Sequence, residues 1–191
     1  MYKDLTDAEL TQKTVDGEVL AFEELVNRYQ KPIFYYCQRL LNNNHTDAED
    51  ATSEAMFKLY KNIAKYNSEY KFSSWLYRIA HNCAVNIIAS KSKLFYVDIE
   101  SFWNIPTKEK DESPIDKYEL EQILDKLNFN DKNILILYYL EEKTTSEISQ
   151  ILNLSENTVT QRICRARTKA RKILNIPKPI STFTDLHTKL L

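Results

Sequence analysis

The side chains best placed to do chemistry lie near the C-terminal end of the chain, and their chemistry is recognition rather than bond-making. Gln161 and Arg165 are four residues apart in SENTVTQRICRARTKA. On a helix that spacing puts them one above the other on one face. A Gln amide can read adenine through N6 and N7, and a guanidinium can read guanine through O6 and N7. In projection Val159, Ile163, Ala166, Ala170 and Ile173 fall on the opposite side and should face a core. Gln161, Cys164, Arg165 and Thr168 then point outward, flanked by Thr160 and Arg162. No acid occurs between Glu156 and Asp185, a stretch that holds Arg162, Arg165, Arg167, Lys169, Arg171 and Lys172. The other cations are expected mostly to hold phosphates. A solvated charged helix at the end of a bundle has the same composition. Its N-cap and the capped helix before it favour DNA contact.

The acids gather elsewhere, with Asp47, Glu49, Asp50 and Glu54 inside eight residues. The formal net charge of −1 would by itself argue against a nucleic-acid binder. Its segregation suggests instead two surfaces with different partners. Other chemistry is poorly supported. The histidines His45, His81 and His187 are isolated, and the three cysteines Cys37, Cys83 and Cys164 form no C-x-x-C pair. A zinc site or disulfide framework is therefore not expected. No nucleophile–base pair, Gly-rich phosphate loop or paired catalytic carboxylate is visible, so no enzyme activity is expected.

These residues must be positioned by helices. The 191-residue chain is 43% hydrophobic, with one Gly and five Pro, a scarcity of breakers that points to an all-α fold. Residues 1–90 read as a first helical module. Leu5, Leu10 and Val15 lie on its first helix, Gly17 marks a break, and Ala21, Phe22, Leu25, Val26 and Tyr29 recur at helical spacing. Pro32 should kink or end that helix. After the turn NNNHT, Thr46 or Asp47 can cap a helix with Ala48, Ala51, Ala55, Leu59 and Ile63 inward. The last helix of the module should bury Phe72, Trp75, Leu76, Ile79, Cys83 and Ile87, with Tyr77, Arg78 and His81 projecting away. Residues 91–117, with Pro106, Pro114 and KEKDES, read as a linker. Its Phe95, Tyr96, Phe102 and Trp103 either cover a module's edge or dock in a partner's groove. Residues 118–175 form a second module. Thr144 and Glu147 match a capping box, and Ser155 can cap the final helix, the pattern of a helix-turn-helix. Residues 176–191 read as a tail. No apolar run approaches the length of a membrane span. MYKDLTDAEL lacks the basic start and apolar stretch of a secretory signal, so a cytoplasmic location is expected.

Several segments resemble the extracytoplasmic-function sigma factors, the minimal members of the main bacterial sigma family. DGEVLAFEELVNRY looks like that family's opening helix, DAEDATSEAMFKLYKNI like its D-A-E-D helix, and FSSWLYRIAHN like its F-x-x-W-L-Y-R-I-A-x-N segment. TTSEISQILNLSENTVTQRICRARTKA resembles its second-module pattern. The resemblance implies a factor that binds core RNA polymerase and directs promoter-specific initiation, with no catalytic residue and no cofactor. Asp47, Asp50 and Glu54 would face the clamp helices of the β′ subunit. The loop from Asn67 through Tyr70 to Lys71, with Arg78, His81 and Asn82, would engage the non-template strand of the minus-ten element. Thr158, Thr160, Gln161, Arg162, Cys164 and Arg165 would read the minus-thirty-five element. The linker would thread toward the RNA exit channel, and an anti-sigma factor is a further expected partner. Minus-ten reading needs separated strands, which proteins hold by stacking and by pockets for flipped bases. Tyr70 and Asn67 suit that role better than Phe72 and Trp75, which lie on the apolar face. The linker could reach about 90 Å, and one DNA turn is about 34 Å.

The sequence departs from the family in Thr160, where Lys or Arg is common, in Ser53, where Gln is common, and in Leu127-Asn128, where Leu-Pro is usual. A dimeric helix-turn-helix regulator remains as an alternative. It accounts for the second module and predicts palindromic duplex binding without polymerase, but gives FSSWLYRIAHN no role.

Overall fold

The computed structural model describes residues 2–91 and 115–175. These residues form helices and no strand. In the first module, α1 spans Asp7–Val15, α2 Val19–Leu40, α3 His45–Asn62 and α4 Phe72–Lys91. Thr6 caps α1 with a full capping box to Glu9. Gly17, at φ +93°, makes the turn into α2. The left-handed region it occupies disfavours any residue with a Cβ.

Pro32 neither ends nor splits α2. The apolar stripe runs through it in phase, with Ala21 and Leu25 buried before it and Ile33, Tyr36, Cys37 and Leu40 after it. Packing on both sides of the ring holds the helix against a penalty of about 3 kcal/mol. The next turn uses Asn42 and Asn43, both near φ +57°. The cap of α3 is Asn44, whose Oδ1 accepts from the Asp47 amide at 3.2 Å, and not Thr46 or Asp47. An Asn side chain at that position satisfies an orphan donor of the first turn, so the helix begins two or three residues earlier than a cap at Thr46 or Asp47 would place it. Ala48, Ala51, Ala55 and Leu59 then form the buried face of α3, which packs on α2 and α4. Small residues there let the backbones approach. From α4, Phe72, Leu76, Ala80, Cys83 and Ala84 enter the core, while Trp75, Ile79 and Ile87 are half-buried at its margin.

In the second module, α5 spans Lys117–Ile123, α6 Phe129–Leu135, α7 Thr145–Leu152 and α8 Glu156–Leu174. Ile115 is buried and Asp116 caps α5, so structure begins inside the stretch expected to be a linker. Asn128 caps α6 by accepting from the Asp131 amide at 2.9 Å. That explains how the chain starts this helix without the family's usual proline. One π-helical turn, Ile136–Leu140, extends α6. Leu120, Ile134, Leu135, Ile148, Ile151, Val159, Ile163, Ala166 and Ala170 make the core. The linker aromatics Phe95, Tyr96, Phe102 and Trp103 and the tail 176–191 lie outside the described residues.

The two modules pack together, α4 against α7 and α2 against α6. None of the described helices is long and apolar enough to cross a membrane.

Candidate nucleic-acid interface

Local signals place α8. The Thr144 Oγ1 accepts from the Glu147 amide at 3.2 Å, and Glu147 Oε2 accepts from the Thr144 amide at 2.8 Å. Asn153, at φ +54°, ends α7 in the left-handed conformation that Asn tolerates. Ser155 Oγ accepts from the Thr158 amide at 3.2 Å and opens α8. The Thr158 hydroxyl lies 2.8 Å from Ser155 Oγ and so belongs to this cap.

On α8, Thr160 and Gln161 are exposed, while Arg162, Cys164, Arg165 and Thr168 are half-buried. The Thr160 hydroxyl donates to the Glu156 carbonyl at 3.0 Å. Burial, and then the neighbouring Arg165 charge, lower the pKa of Arg162. The expected phosphate grip is narrower than the charge run suggests. Arg167 and Arg171 are each 7% exposed, Arg167 lies 5.8 Å from the centre of the Tyr139 ring, and Lys169 pairs with Asp131 at 2.5 Å. Half of the run holds α8 to its own module. Long cationic stems readily serve as packing material.

The loop before α4 is ordered by its own side chains. Asn67 Oδ1 accepts from the Glu69 amide at 3.0 Å, and its Nδ2 donates to Glu69 Oε2 at 2.9 Å. Tyr66 packs on Phe72 and Trp75, both at 5.4 Å between ring centres, and donates to the Tyr70 carbonyl at 2.6 Å. Tyr70 is left 51% exposed. Phe72 is buried, as its apolar phase requires. Arg78 and Asn82 are exposed on α4.

Tyr77 and His81 do not project into solvent. They turn away from the first module's core, as their phase demands, and the second module covers them. Tyr77 is 3% exposed and donates to Glu141 Oε2 at 2.5 Å. Lys143 Nζ sits 4.4 Å from the centre of its ring. His81 Nδ1 lies 3.2 Å from Asn133 Nδ2 and 3.5 Å from the Tyr36 hydroxyl, and its ring stacks on Phe129 at 6.1 Å. Burial lowers the His81 pKa to about 4 and raises that of the Glu141 carboxyl. Lys71 pairs with Glu147 at 3.1 Å. Sequence reasoning missed Tyr36, Asn133, Glu141 and Glu147 as partners of this face, and Arg39, which reaches Glu141 at 3.3 Å and Glu121 at 2.8 Å.

On α3, Asp50 and Glu54 are exposed beside Phe57, along a groove of about 600 Å³ that reaches Cys83, Ile87 and Ser90 on α4. Glu54 pairs with Lys58 at 3.2 Å, so its repulsion with Asp50 is already eased within the helix. Asp47 is not on this face. It is buried and paired with Lys91 at the end of α4.

The Sigma-70 region 2 family matches residues 25–94, and the Sigma-70 region 4 family matches residues 117–169. The chain is 33% identical to the ECF RNA polymerase sigma factor SigW of Bacillus subtilis, over 83% of this chain and 91% of that protein. It is 29% identical to the ECF RNA polymerase sigma-E factor of Haemophilus influenzae, over 87% and 94%. The fold is similar to that of CnrH in complex with the cytosolic domain of CnrY, with a TM-score of 0.64, 19% identity and coverage of 88% and 97%. It is also similar to the sigma factor RpoE in complex with the anti-sigma factor NepR from Bartonella quintana, with a TM-score of 0.62, 18% identity and coverage of 81% and 97%.

Proposed function

The chain belongs to the ECF RNA polymerase sigma factors, and from that premise we propose how its own residues divide the work of promoter-specific initiation. Residues 1–90 act as region 2 and residues 118–175 as region 4, with 91–117 as the linker and 176–191 as a tail. Asp50 and Glu54 meet the polymerase clamp helices across the α3 groove, where Phe57 adds an apolar contact. Asp47 acts behind them, fixing the end of α4 through Lys91. The loop Asn67, Tyr70 and Lys71, with Arg78, His81 and Asn82, holds the non-template strand of the minus-ten element. Tyr70 offers a stacking face and the amides offer base-edge hydrogen bonds.

Region 4 reads the minus-thirty-five element through Gln161 and Arg165. Thr160 and Arg162 flank them, Thr158 secures the cap, and Cys164 adds a small contact surface. The observation that carries this reading is the outward face of α8, where Gln161 is exposed and no acid follows Glu156 to the helix end. The chain acts without cofactor or chemistry of its own, in the cytoplasm. An anti-sigma factor is a further partner, by analogy with the complexed relatives.

Run-off transcription with purified core polymerase on genomic fragments tests the proposal. Discrete start sites that require this chain are expected. Binding to palindromic duplex DNA, with no start site selected in the presence of core, would overturn it in favour of a free-standing regulator.

A further inference from the structure

Asp7 on α1 reaches the loop that precedes α4, and the way it is held leaves part of its hydrogen-bonding capacity unused. Its Oδ1 accepts from Arg28 Nη1 at 3.0 Å and its Oδ2 from the Tyr29 hydroxyl at 2.5 Å. An ionised carboxylate has about four lone-pair sites, so each oxygen can accept once more. The same Arg28 donates to the Tyr2 and Lys3 carbonyls at 3.3 and 2.9 Å, and the Tyr29 ring packs on Phe72 at 5.3 Å. The start of α1 is thereby fixed against the loop.

A hollow of about 350 Å³ lies where the two meet, within the size range of small-ligand sites, about 300–1,000 Å³. A base held outside a stack needs aromatic faces and hydrogen bonds at its edge, and the lining supplies both. Tyr66 and Tyr70 offer rings, Ser68 and Ser73 offer hydroxyls, and Asp7 and Glu69 offer carboxylates. Glu69 is steadied by Asn67, whose Nδ2 donates to Oε2 at 2.9 Å. The hollow is separate from the surface of α4 that carries Asn82. Ser73 and Asn82 are nine residues apart, about two and a half turns, and so lie on opposite sides of the helix.

We propose that this hollow is a base site that selects against thymine. It takes one base of the non-template strand next to those that α4 reads, and Asp7 is the residue that selects. The proposal rests on the reading of the loop and α4 as the minus-ten face. Adenine, cytosine and guanine each carry an exocyclic amino group, and thymine carries none. An amino group donates to the carboxylates of Asp7 and Glu69. Thymine brings carbonyl oxygens instead, so acceptor meets acceptor and both lose water without gaining a bond. Stacking on tyrosine tolerates any base, so the discrimination comes from the acids.

The test is run-off transcription with the full-length chain and core polymerase on templates with a preformed bubble. Each non-template position in the bubble carries each of the four bases in turn. Arg78→Ala maps the positions read by α4. With the wild-type chain, thymine is expected to lower the yield about tenfold at one position outside that set. Asp7→Asn, whose amide can donate to a thymine carbonyl, should bring that ratio close to one, and Glu69→Gln should lower it in part. Tyr29→Phe keeps the Asp7 carboxylate and removes its hydroxyl partner, so it should leave the ratio unchanged. Circular dichroism checks the fold of each variant.

A wild-type chain that tolerates thymine at every position outside the α4 set overturns the proposal. So does a folded Asp7→Asn variant that still rejects thymine. Loss of discrimination in Tyr29→Phe equal to that in Asp7→Asn overturns it too, because Asp7 is then a latch for the loop and not a base contact. If Asp7→Asn fails to fold, an unchanged ratio in Glu69→Gln overturns it in its place. Arg78→Ala separates this reading from the one beneath it. An effect of Arg78→Ala at its own positions, with none of Asp7→Asn, removes only the thymine site. No effect of Arg78→Ala at any position removes the minus-ten reading of α4 as well.

Discussion

Tyr36 on α2 and Asn133 on α6 lie 97 residues apart and share a buried hydrogen bond, the Tyr36 hydroxyl donating to Asn133 Oδ1 at 2.9 Å. Tyr36 is fully buried and Asn133 nearly so, so neither group has water to fall back on. Tyr36→Phe keeps the ring and strands the Asn133 carbonyl oxygen. The expected loss is about 1–3 kcal/mol, the desolvation cost of an unsatisfied buried acceptor. Urea denaturation of wild type and variant measures it. An unchanged midpoint would mean that the Tyr36 hydroxyl contributes nothing to the packing of the modules.

His81 gives the same contact a pH dependence. Its folded pKa is lowered to about 4 from an ordinary value of 6.5, because burial disfavours the imidazolium. The unfolded chain then binds more protons than the folded one between those two values, so stability falls as pH drops through that window. The slope approaches about 1.4 kcal/mol per pH unit for a single group. Glu141, whose carboxyl is raised from 4.5 by burial, acts in the opposite sense just above that value. Denaturation from pH 7 to 4, comparing wild type with His81→Gln, isolates the histidine. The variant should lose the part of the slope that lies between 6.5 and 4.

Arg165→Ala is expected to cost about 1–3 kcal/mol on the preferred minus-thirty-five site and less on random duplex DNA. Gln161, the more exposed of the pair, should show the same pattern. Arg167→Ala should differ in kind, because that residue is buried against Tyr139. It should lower thermal stability more than it alters DNA preference. Gel-shift titration with thermal melts separates the two effects. Equal loss on both DNAs for Arg165→Ala would reduce it to a phosphate contact.

Exchange of the loop Asn67–Lys71 for that of a related factor should change minus-ten preference and leave minus-thirty-five preference alone. The loop is closed on itself through Asn67, Glu69 and Tyr66, so it transfers as a unit. Run-off transcription on a promoter library, randomised at each element in turn, reads the result. An unchanged minus-ten preference would move specificity onto α4.

Asp50→Lys with Glu54→Lys should abolish core polymerase binding while the helical content survives. Removing one member of a desolvated interfacial charge pair costs about 2–5 kcal/mol. Both residues are exposed, and among the described residues the ion pair disturbed is Glu54–Lys58. Pull-down of core, with circular dichroism as control, measures it. Asp47→Asn should instead loosen the end of α4, since Asp47 holds Lys91. Unchanged core affinity in the folded double variant would sink the anchor assignment.

The parts of this molecule that were legible in the sequence are those set by short-range periodicity. The stripe Val159, Ile163, Ala166 and Ala170, the box at Thr144 and Glu147, and the cap at Ser155 each need only a few neighbouring residues to declare themselves, and all are present. Pro32 misled because packing overrode a local penalty. Asn44 was passed over because hydrophobic spacing does not register the residue before it begins. The face of Tyr77 and His81 was illegible for a different reason. Their helical phase correctly turned them from one core, but their partners Glu141 and Asn133 come from 64 and 52 residues further along. Single long-range polar contacts leave no repeating trace in a sequence.

The rim between the modules is built from Arg39, Glu121, Lys71, Glu147, Lys132 and Asn42, and that composition decides what separation leaves behind. Arg39, Glu121 and Lys71 can exchange partners for water at little net change, as exposed ion pairs generally do, whereas Lys132 and Glu147 are buried and have more to lose. A seam of leucines would instead expose the kind of apolar patch that draws proteins into aggregates. This seam is charged at its edge and aromatic within, where Tyr36 and Tyr77 are buried, so water would stabilise the edge of a parted seam while the centre would favour closing again.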